Sequence, residues 1–251
     1  MTLSQSQLEQ VLKHPFQYVA TVDSTNDLAQ TWLKDGAQPL SVVIADEQRK
    51  GRGRRGRIWY TPPNVALALS IILQPSKKFA TRVSLIGCLA VYDLCQYLNI
   101  ATVGIKWPND VQIEGKKVCG VLPEAVWQDD QLLGVILGIG VNIRNDLQPE
   151  IANIATTLEI ATAKTLNRTD LIAYLLDGVA YWYNLLEKDD LIFAWKARLH
   201  TLGQNVIITG NQKRIVGQAV DADTDGALLI KTADGSIQRI LAGDVSLRPQ
   251  T

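Results

Sequence analysis

The sequence predicts an α+β fold: a mixed, mostly antiparallel sheet packed with helices, followed by a small C-terminal β-barrel. Three observations carry that expectation. The apolar runs between residues 41 and 141 are mostly short and strand-like, separated by tight turns. Of two longer stretches read as helical, 79–98 carries apolar residues at helical spacing and 170–200 is rich in Leu, Tyr and Trp. After Gly203 the chain changes character, with four or five short strands joined by Asp-Gly and Gly turns. A small barrel is a common way to protect such strands from edge pairing. Hairpins dominate the body, which argues against a doubly wound parallel sheet. The boundary is placed at 200–204, giving a body of residues 1–202 and a barrel of 203–251.

Taken in order, an amphipathic helix opens the chain over Leu3–Leu12 and is stopped by Pro15. Phe16–Val22 is extended and leads into Asp23-Ser24-Thr25-Asn26-Asp27. Ser24 or Thr25 is a good N-cap for a helix over Leu28–Lys34, which Gly36 terminates. Ser41–Ala45 is a buried strand, a basic Gly-rich loop follows, and Val65–Leu73 is the next strand. In the helix over Phe79–Leu98, Val83, Ile86, Leu89, Ala90, Leu94 and Leu98 carry the apolar spacing. Strands are then expected over Val103–Trp107, Val111–Ile113, Val118–Trp127 and Leu132–Val141, with turns at 114–117 and at Asp129-Asp130. Pro123 inside a strand predicts an edge position or a bulge.

Composition removes several functional classes. The 251 residues are enough to bury a core without disulfides or metal. Lys and Arg together number 25, as do Asp and Glu, so the chain is neither a polycation nor an acidic tail protein. Cys88, Cys95 and Cys119 are odd in number and lack C-x-x-C spacing, so they indicate neither a disulfide framework nor a zinc site. His14 and His200 stand far apart and outside any motif, which argues against histidine catalysis. The N-terminus has no signal-peptide pattern. The longest uncharged apolar runs, near 65–73 and 132–141, are too short to span a bilayer. The expectation is a soluble cytoplasmic protein without a membrane partner.

Charge is nevertheless concentrated. Residues 49–57 read R-K-G-R-G-R-R-G-R, six cations in nine positions, which predicts an anionic ligand. Gly51, Gly53 and Gly56 spell G-x-G-x-x-G, yet the segment neither leaves a strand directly nor opens an apolar helix, so a dinucleotide turn is disfavoured. A solvated basic loop is one alternative. A nucleic-acid segment with Trp59 and Tyr60 as stacking platforms is another. The favoured reading is a flexible loop that closes over an anion, with glycines for close approach and arginines for phosphate. In K-W-P-N-D at 106–110, Asn109 and Asp110 either hold Mg²⁺ or form a plain Asn-Asp turn. In G-K-K-V-C-G at 115–120, a lysine either reaches a carboxylate or phosphate, or sits at a hairpin tip in water. In G-I-G-V-N-I at 138–143, Asn142 either packs under the sheet or bonds a ligand.

In combination and order, D-S-T-N at 23–26, Q-R-K-G-R-G-R-R-G-R at 48–57 with Trp59, K-W-P-N-D, G-K-K-V-C-G and G-I-G-V-N closely resemble the biotin protein ligases, from about Asp23 to the C-terminus. The resemblance implies a class II synthetase-like biotin/lipoate ligase catalytic domain and an SH3-like barrel. It also implies that biotin and MgATP form biotinyl-5′-adenylate, with biotin then passed to a lysine of a carboxylase's biotin carboxyl carrier protein. By motif position, Ser24, Thr25, Asn26 and Gln48 belong to the biotin pocket, and Arg52, Gly53 and Arg54 to the loop over biotin and adenylate. Arg57 is implied near the phosphates and Trp59 against adenine. Asn109 and Asp110 match the ATP and Mg²⁺ positions, and Asn142 an adenylate-pocket position. Lys117 matches the lysine that contacts biotin's carboxylate and the α-phosphate, flanked by Gly120 and Leu122. Lys117, Arg54 and Asp110 are then the expected catalytic groups.

Only 22 residues precede Asp23, too few for a winged-helix DNA-binding domain, so a ligase without repressor activity or a nucleic-acid partner is expected. A sheet-edge homodimer is frequent in the family. Residues 60–66 depart from the family's Gly-rich, Asn-containing stretch. A lipoate–protein ligase would share fold and chemistry, but the G-R-G-R-R-G-R loop and terminal barrel favour the biotin enzymes. A single-stranded nucleic-acid module is the rival of another class, disfavoured by zero net charge and by the lack of an aromatic-basic face on 204–251.

Overall fold

The computed structural model describes residues 3–144, 147–210, 213–241 and 243–247. Arg248, the last residue of the final expected strand, lies outside them. The chain runs α1 (Gln5–Val11), β1 (Phe16–Val22), α2 (Thr25–Lys34), β2 (Val42–Gln48), β3 (Ala66–Leu73), α3 (Val83–Tyr97), β4 (Val103–Lys106), β5 (Asp110–Ile113), β6 (Lys116–Gln128) and β7 (Gln131–Asn142). It continues with α4 (Leu158–Thr162), α5 (Arg168–Asn184), α6 (Asp189–Ala197), β8 (Asn205–Gly210), β9 (Lys213–Ala222), β10 (Leu228–Lys231), β11 (Ile237–Ile240) and β12 (Asp244–Leu247).

Among the described residues the first seven strands form one sheet in the order β1-β2-β3-β7-β6-β5-β4. Only β1 and β2 are parallel, joined by the α2 crossover. The other neighbours are antiparallel. Alternation along β2, β3 and β7 separates two faces. Val42, Ile44, Leu67, Leu69, Ile71, Val135, Leu137, Ile139 and Val141 enter the large core with α3, α5 and α6. On the other face Val43, Ile72 and Ile136 meet Ala29 and Leu33 of α2 in a smaller core. The later strands form a second antiparallel sheet, β11-β10-β9-β8-β12, consistent with the SH3-like expectation. Trp107 joins the two sheets: its backbone N–H donates to Thr201 Oγ1 and its indole Nε1 to the Gly226 carbonyl, each at 2.9 Å.

Several elements differ from expectation at their ends. The helix after Ser24 begins at Thr25, three residues early, and the Ser24 side chain makes no capping bond. The stretch 79–98 starts as a 3₁₀ helix over Lys77–Arg82 before the α-helix begins at Val83. The region 170–200 divides into α5 and α6. Pro123 opposes Leu137 on β7, and on its other side the pairing with β5 has already ended at Gly120, so the missing N–H lies on a free edge. The three thiols are fully buried, and burial pushes all three up, Cys95 to about 12, as suits core packing. No helix among the described residues is long and apolar enough to cross a membrane.

One polar contact crosses the large core. Arg168, at the start of α5, is 1% exposed and pairs with the buried Asp46 of β2. Its Nη2 also donates to the Ala66 carbonyl at 2.7 Å. Removing one partner of such a pair leaves an uncompensated buried charge. Asp46→Ala is therefore expected to lower the free energy of unfolding by about 3–5 kcal/mol. Urea titration of both proteins checks this, and a loss below about 1 kcal/mol would show that the pair does not hold α5 to the sheet.

Candidate functional site

On the face that carries α2, the register of β3 and β7 places Ala66 opposite Asn142, Ala68 opposite Gly140, Ser70 opposite Gly138 and Ile72 opposite Ile136. Gly120 and Leu122 of β6 continue the Gly140 and Gly138 rows. Beyond Ile72 and Ile136 the branched side chains give way to small ones, and the sheet surface becomes the floor of a trough. A cavity of about 590 Å³ opens there. The glycines are required by close approach: a Cβ on Gly140 would lie 2.4 Å from the Trp59 indole, and one on Gly138 would lie 2.6 Å from Asn26 Oδ1.

The first turn of α2 supplies one end of the trough. Because the helix starts at Thr25, the backbone N–H and hydroxyl of Thr25 both donate to Gln48 Oε1, at 2.9 and 3.0 Å. The Ser70 hydroxyl lies 2.7 Å from Thr25 Oγ1 and also reaches Asn26 Oδ1. Asn26 Nδ2 donates to Glu124 Oε2 at 2.6 Å. Each amide is thereby held in one orientation, and hydroxyls and amides with fixed donors and acceptors suit recognition of polar groups.

The basic segment roofs the trough as a hydrogen-bonded ribbon, where the sequence suggested a flexible loop. Gln48 N–H donates to the Thr61 carbonyl, Trp59 N–H to Gly51 and Gly53 N–H to Arg57, at 3.1, 2.9 and 2.7 Å. The tip is a 3₁₀ turn at Arg54–Gly56, with Arg55 and Gly56 at φ of 58° and 73°. Most of its cations are paired with carboxylates. Lys50 pairs with Asp23 and Arg52 with Asp27, at 2.7 and 2.6 Å. Arg55 and Arg57 both reach Asp244 on β12, so Arg57 borders the cavity while its guanidinium is committed to the second sheet. Arg54 differs. Its Nη1 donates to Asn109 Oδ1 and the Gly243 carbonyl, both at 3.3 Å, and burial lowers its pKa, with Asp244 opposing only in part. Among the described residues no carboxylate pairs with it directly.

Lys117 reaches the cavity because β6 carries a bulge. Val111 of β5 pairs with Cys119 but Gln112 pairs with Lys117, so both Val118 and Cys119 remain in the core. That extra residue turns Lys117 to the Gly120 side of the strand. Its Nζ lies 2.6 Å from Asp110 Oδ1 and 5.4 Å from the Trp59 ring centroid. The Trp59 indole N–H is buried and has no partner among the described residues, which leaves a donor for a ligand atom. Asn109 is already engaged: its Nδ2 donates to the Val121 carbonyl and its Oδ1 accepts from Arg54. Asn142 Nδ2 donates to the Thr156 carbonyl at 3.2 Å, tying the floor to segment 154–156, which runs beside Lys117.

The structure brings all of the expected site residues to this cavity: Ser24, Thr25, Asn26, Gln48, Arg52, Gly53, Arg54, Arg57, Trp59, Asn109, Asp110, Lys117, Gly120, Leu122 and Asn142. Sequence reasoning missed Asp244, Ile151 and Ile154, which also line it, as well as Ser70 and Glu124. Ser70 had a signal, as the lone polar residue in the strand A-L-A-L-S-I-I-L. The others carry no local mark.

Comparison with known proteins agrees with this architecture. Residues 18–142 match the biotin/lipoate A/B protein ligase family, and 201–248 match the biotin protein ligase C-terminal domain. A biotin–[acetyl-CoA-carboxylase] ligase of Paracoccus denitrificans is 31% identical over 86% of this chain and 94% of its own length. The bifunctional ligase/repressor BirA of Bacillus subtilis is 28% identical over 92% of this chain and 73% of its own. Among solved structures, the biotin protein ligase of Aquifex aeolicus in complex with biotin and ATP superposes with a TM-score of 0.81 at 30% identity, over 95% of this chain and 100% of that one. With its fold, its paired domains and its relatives in agreement, this chain belongs to the biotin protein ligase family.

Proposed function

We propose that this chain attaches biotin to a lysine of a biotin carboxyl carrier protein in two steps, through biotinyl-5′-adenylate. The observation that carries the reading is the polarity of the cavity. One end is built from amides and hydroxyls at Thr25, Asn26 and Gln48, braced by Ser70 and with its one cation, Arg52, paired to carboxylates, while the other holds Arg54 and Lys117. Biotin has the same asymmetry, with a ureido ring at one end and a carboxylate at the other.

In the first step a biotin carboxylate oxygen attacks the α-phosphorus of ATP, and the bond to the β-phosphate oxygen breaks to release pyrophosphate. Two anions must approach, and preorganised cations lower that barrier. Lys117 and Arg54 supply them without an enzyme nucleophile. The Trp59 ring, laid over Gly140, offers adenine a flat surface, and its free N–H offers a donor. In the second step the acceptor amine attacks the acyl carbon, AMP departs and the nitrogen loses a proton. The ribbon over the trough excludes water from the mixed anhydride until then.

Magnesium, when bound, neutralises nucleotide phosphate charge. Among the described residues no cluster of three or more His, Cys, Asp or Glu could cage a metal. Asp110 alone, beside Lys117, fits an ion that arrives with phosphate and needs one or two carboxylates. Asn109, the other expected ligand, has its oxygen turned to Arg54.

ATP–pyrophosphate exchange tests this reading. Exchange is expected to require biotin and Mg²⁺; exchange with lipoate instead would change the substrate, and none with either acid would sink the proposal. Lys117→Ala is expected to slow single-turnover adenylate formation by about 10²–10³-fold, the usual effect of losing one transition-state donor. A near-normal rate would remove Lys117 from the chemistry.

A further inference from the structure

We infer that Asp27 and Glu124 are positioning residues of the biotin pocket, which clamp Arg52 and so hold the basic ribbon down on α2. The inference rests on reading Thr25, Asn26 and Gln48 as that pocket, and goes beyond it in saying what keeps the pocket covered.

The clamp is a fork. Arg52 Nη1 and Nη2 donate to the two Asp27 oxygens at 2.8 and 2.6 Å, the bidentate geometry that makes a guanidinium–carboxylate pair strong and directional. Nη2 also reaches Glu124 Oε2 at 3.4 Å. That same oxygen accepts from Asn26 Nδ2, so one carboxylate joins a pocket amide to a ribbon guanidinium. Asp27 is the next residue after Asn26 in the first turn of α2, where the helix dipole favours an acid. The Arg52 backbone forms a bridge with Ile58 across the ribbon, so fixing its side chain restrains both arms. Hydrogen bonding from Arg52 holds the Asp27 carboxyl below its usual range, in keeping with this geometry.

Isolated surface ion pairs contribute little, and Lys50–Asp23, with side chains 75% and 51% exposed, is of that kind. The Arg52 group is different because its contacts are forked and shared. Its effect should appear in how fast a ligand leaves, since an interaction that covers a bound molecule acts mainly on dissociation.

The test is stopped-flow release of biotin from the full chain without ATP. Asp27→Asn is expected to speed release about five- to tenfold, with association changed less, and Asp27→Glu to recover most of the retention. Glu124→Gln, which can still accept from Asn26 but carries no charge for Arg52, is expected to speed release by a smaller factor. In an Arg52→Gln background, Asp27→Asn should add nothing. Release unchanged in Asp27→Asn, or additive effects of the two substitutions, would overturn the clamp. A lower melting temperature with unaltered release would overturn it too, as a stability effect only. Wild-type protein that fails to bind biotin would instead overturn the pocket reading on which the clamp depends.

Discussion

The pairing of Ser70 with Gly138 and of Ala68 with Gly140 is the contact on which the rest of the structure depends. The sheet has branched residues on both faces where it must be covered, and small ones where it must stay open. Because side chains alternate, the same register that seats Leu69 and Ile139 in the large core sets Ser70 and Gly140 on the floor. A slip by one residue would drive the branched side chains into the trough and bury the serine among them. The floor therefore needs no stabilising ligand; the packing behind the sheet fixes it.

Charge plays a narrower part than its density suggests. Internal carboxylates answer most of the cations between residues 49 and 57, and those pairs determine where the ribbon lies more than what it binds. Two of the groups that face a ligand are Arg54, held by an amide and a carbonyl, and Lys117, which already has Asp110 beside it; Lys106 also lines the cavity. A neutral protein can in this way keep two cations in a partly buried site, with the neighbouring acid partly offsetting the desolvation that either alone would suffer.

Much of this was legible in the sequence, for local reasons. Strand alternation, the helical spacing near 83–98 and the turns after residue 203 act over a few residues each, and they predicted the layers and the second sheet. The motifs marked the cavity because they place unusual residues at strand ends. What stayed hidden was relational. Nothing near Lys117 announces the bulge, which exists only against β5. Glu124 reads as an ordinary charge until β6 is laid beside α2, and Asp244 until the second sheet docks. The ribbon looked mobile because its hydrogen bonds join residues four to thirteen apart, such as Gly51 with Trp59 and Gln48 with Thr61. Helix starts were misread because Thr25 turns its hydroxyl toward Gln48, leaving Ser24 as an N-cap without a side-chain bond.

The bond between Arg57 and Asp244 joins groups 187 positions apart in the chain. A ribosome delivers them in that order, so every strand of the floor, the last ending at Asn142, is made well before the carboxylate that steadies the roof. At ordinary elongation rates roughly a hundred further residues take about 5–20 s to make. During that interval Arg55 and Arg57 have no β12 to hold, and the basic arm of the nascent chain lacks the carboxylate that answers it later. Docking of the second sheet thus does more than add a small domain: it is the event after which the molecule no longer presents that arm to the polyanions around it.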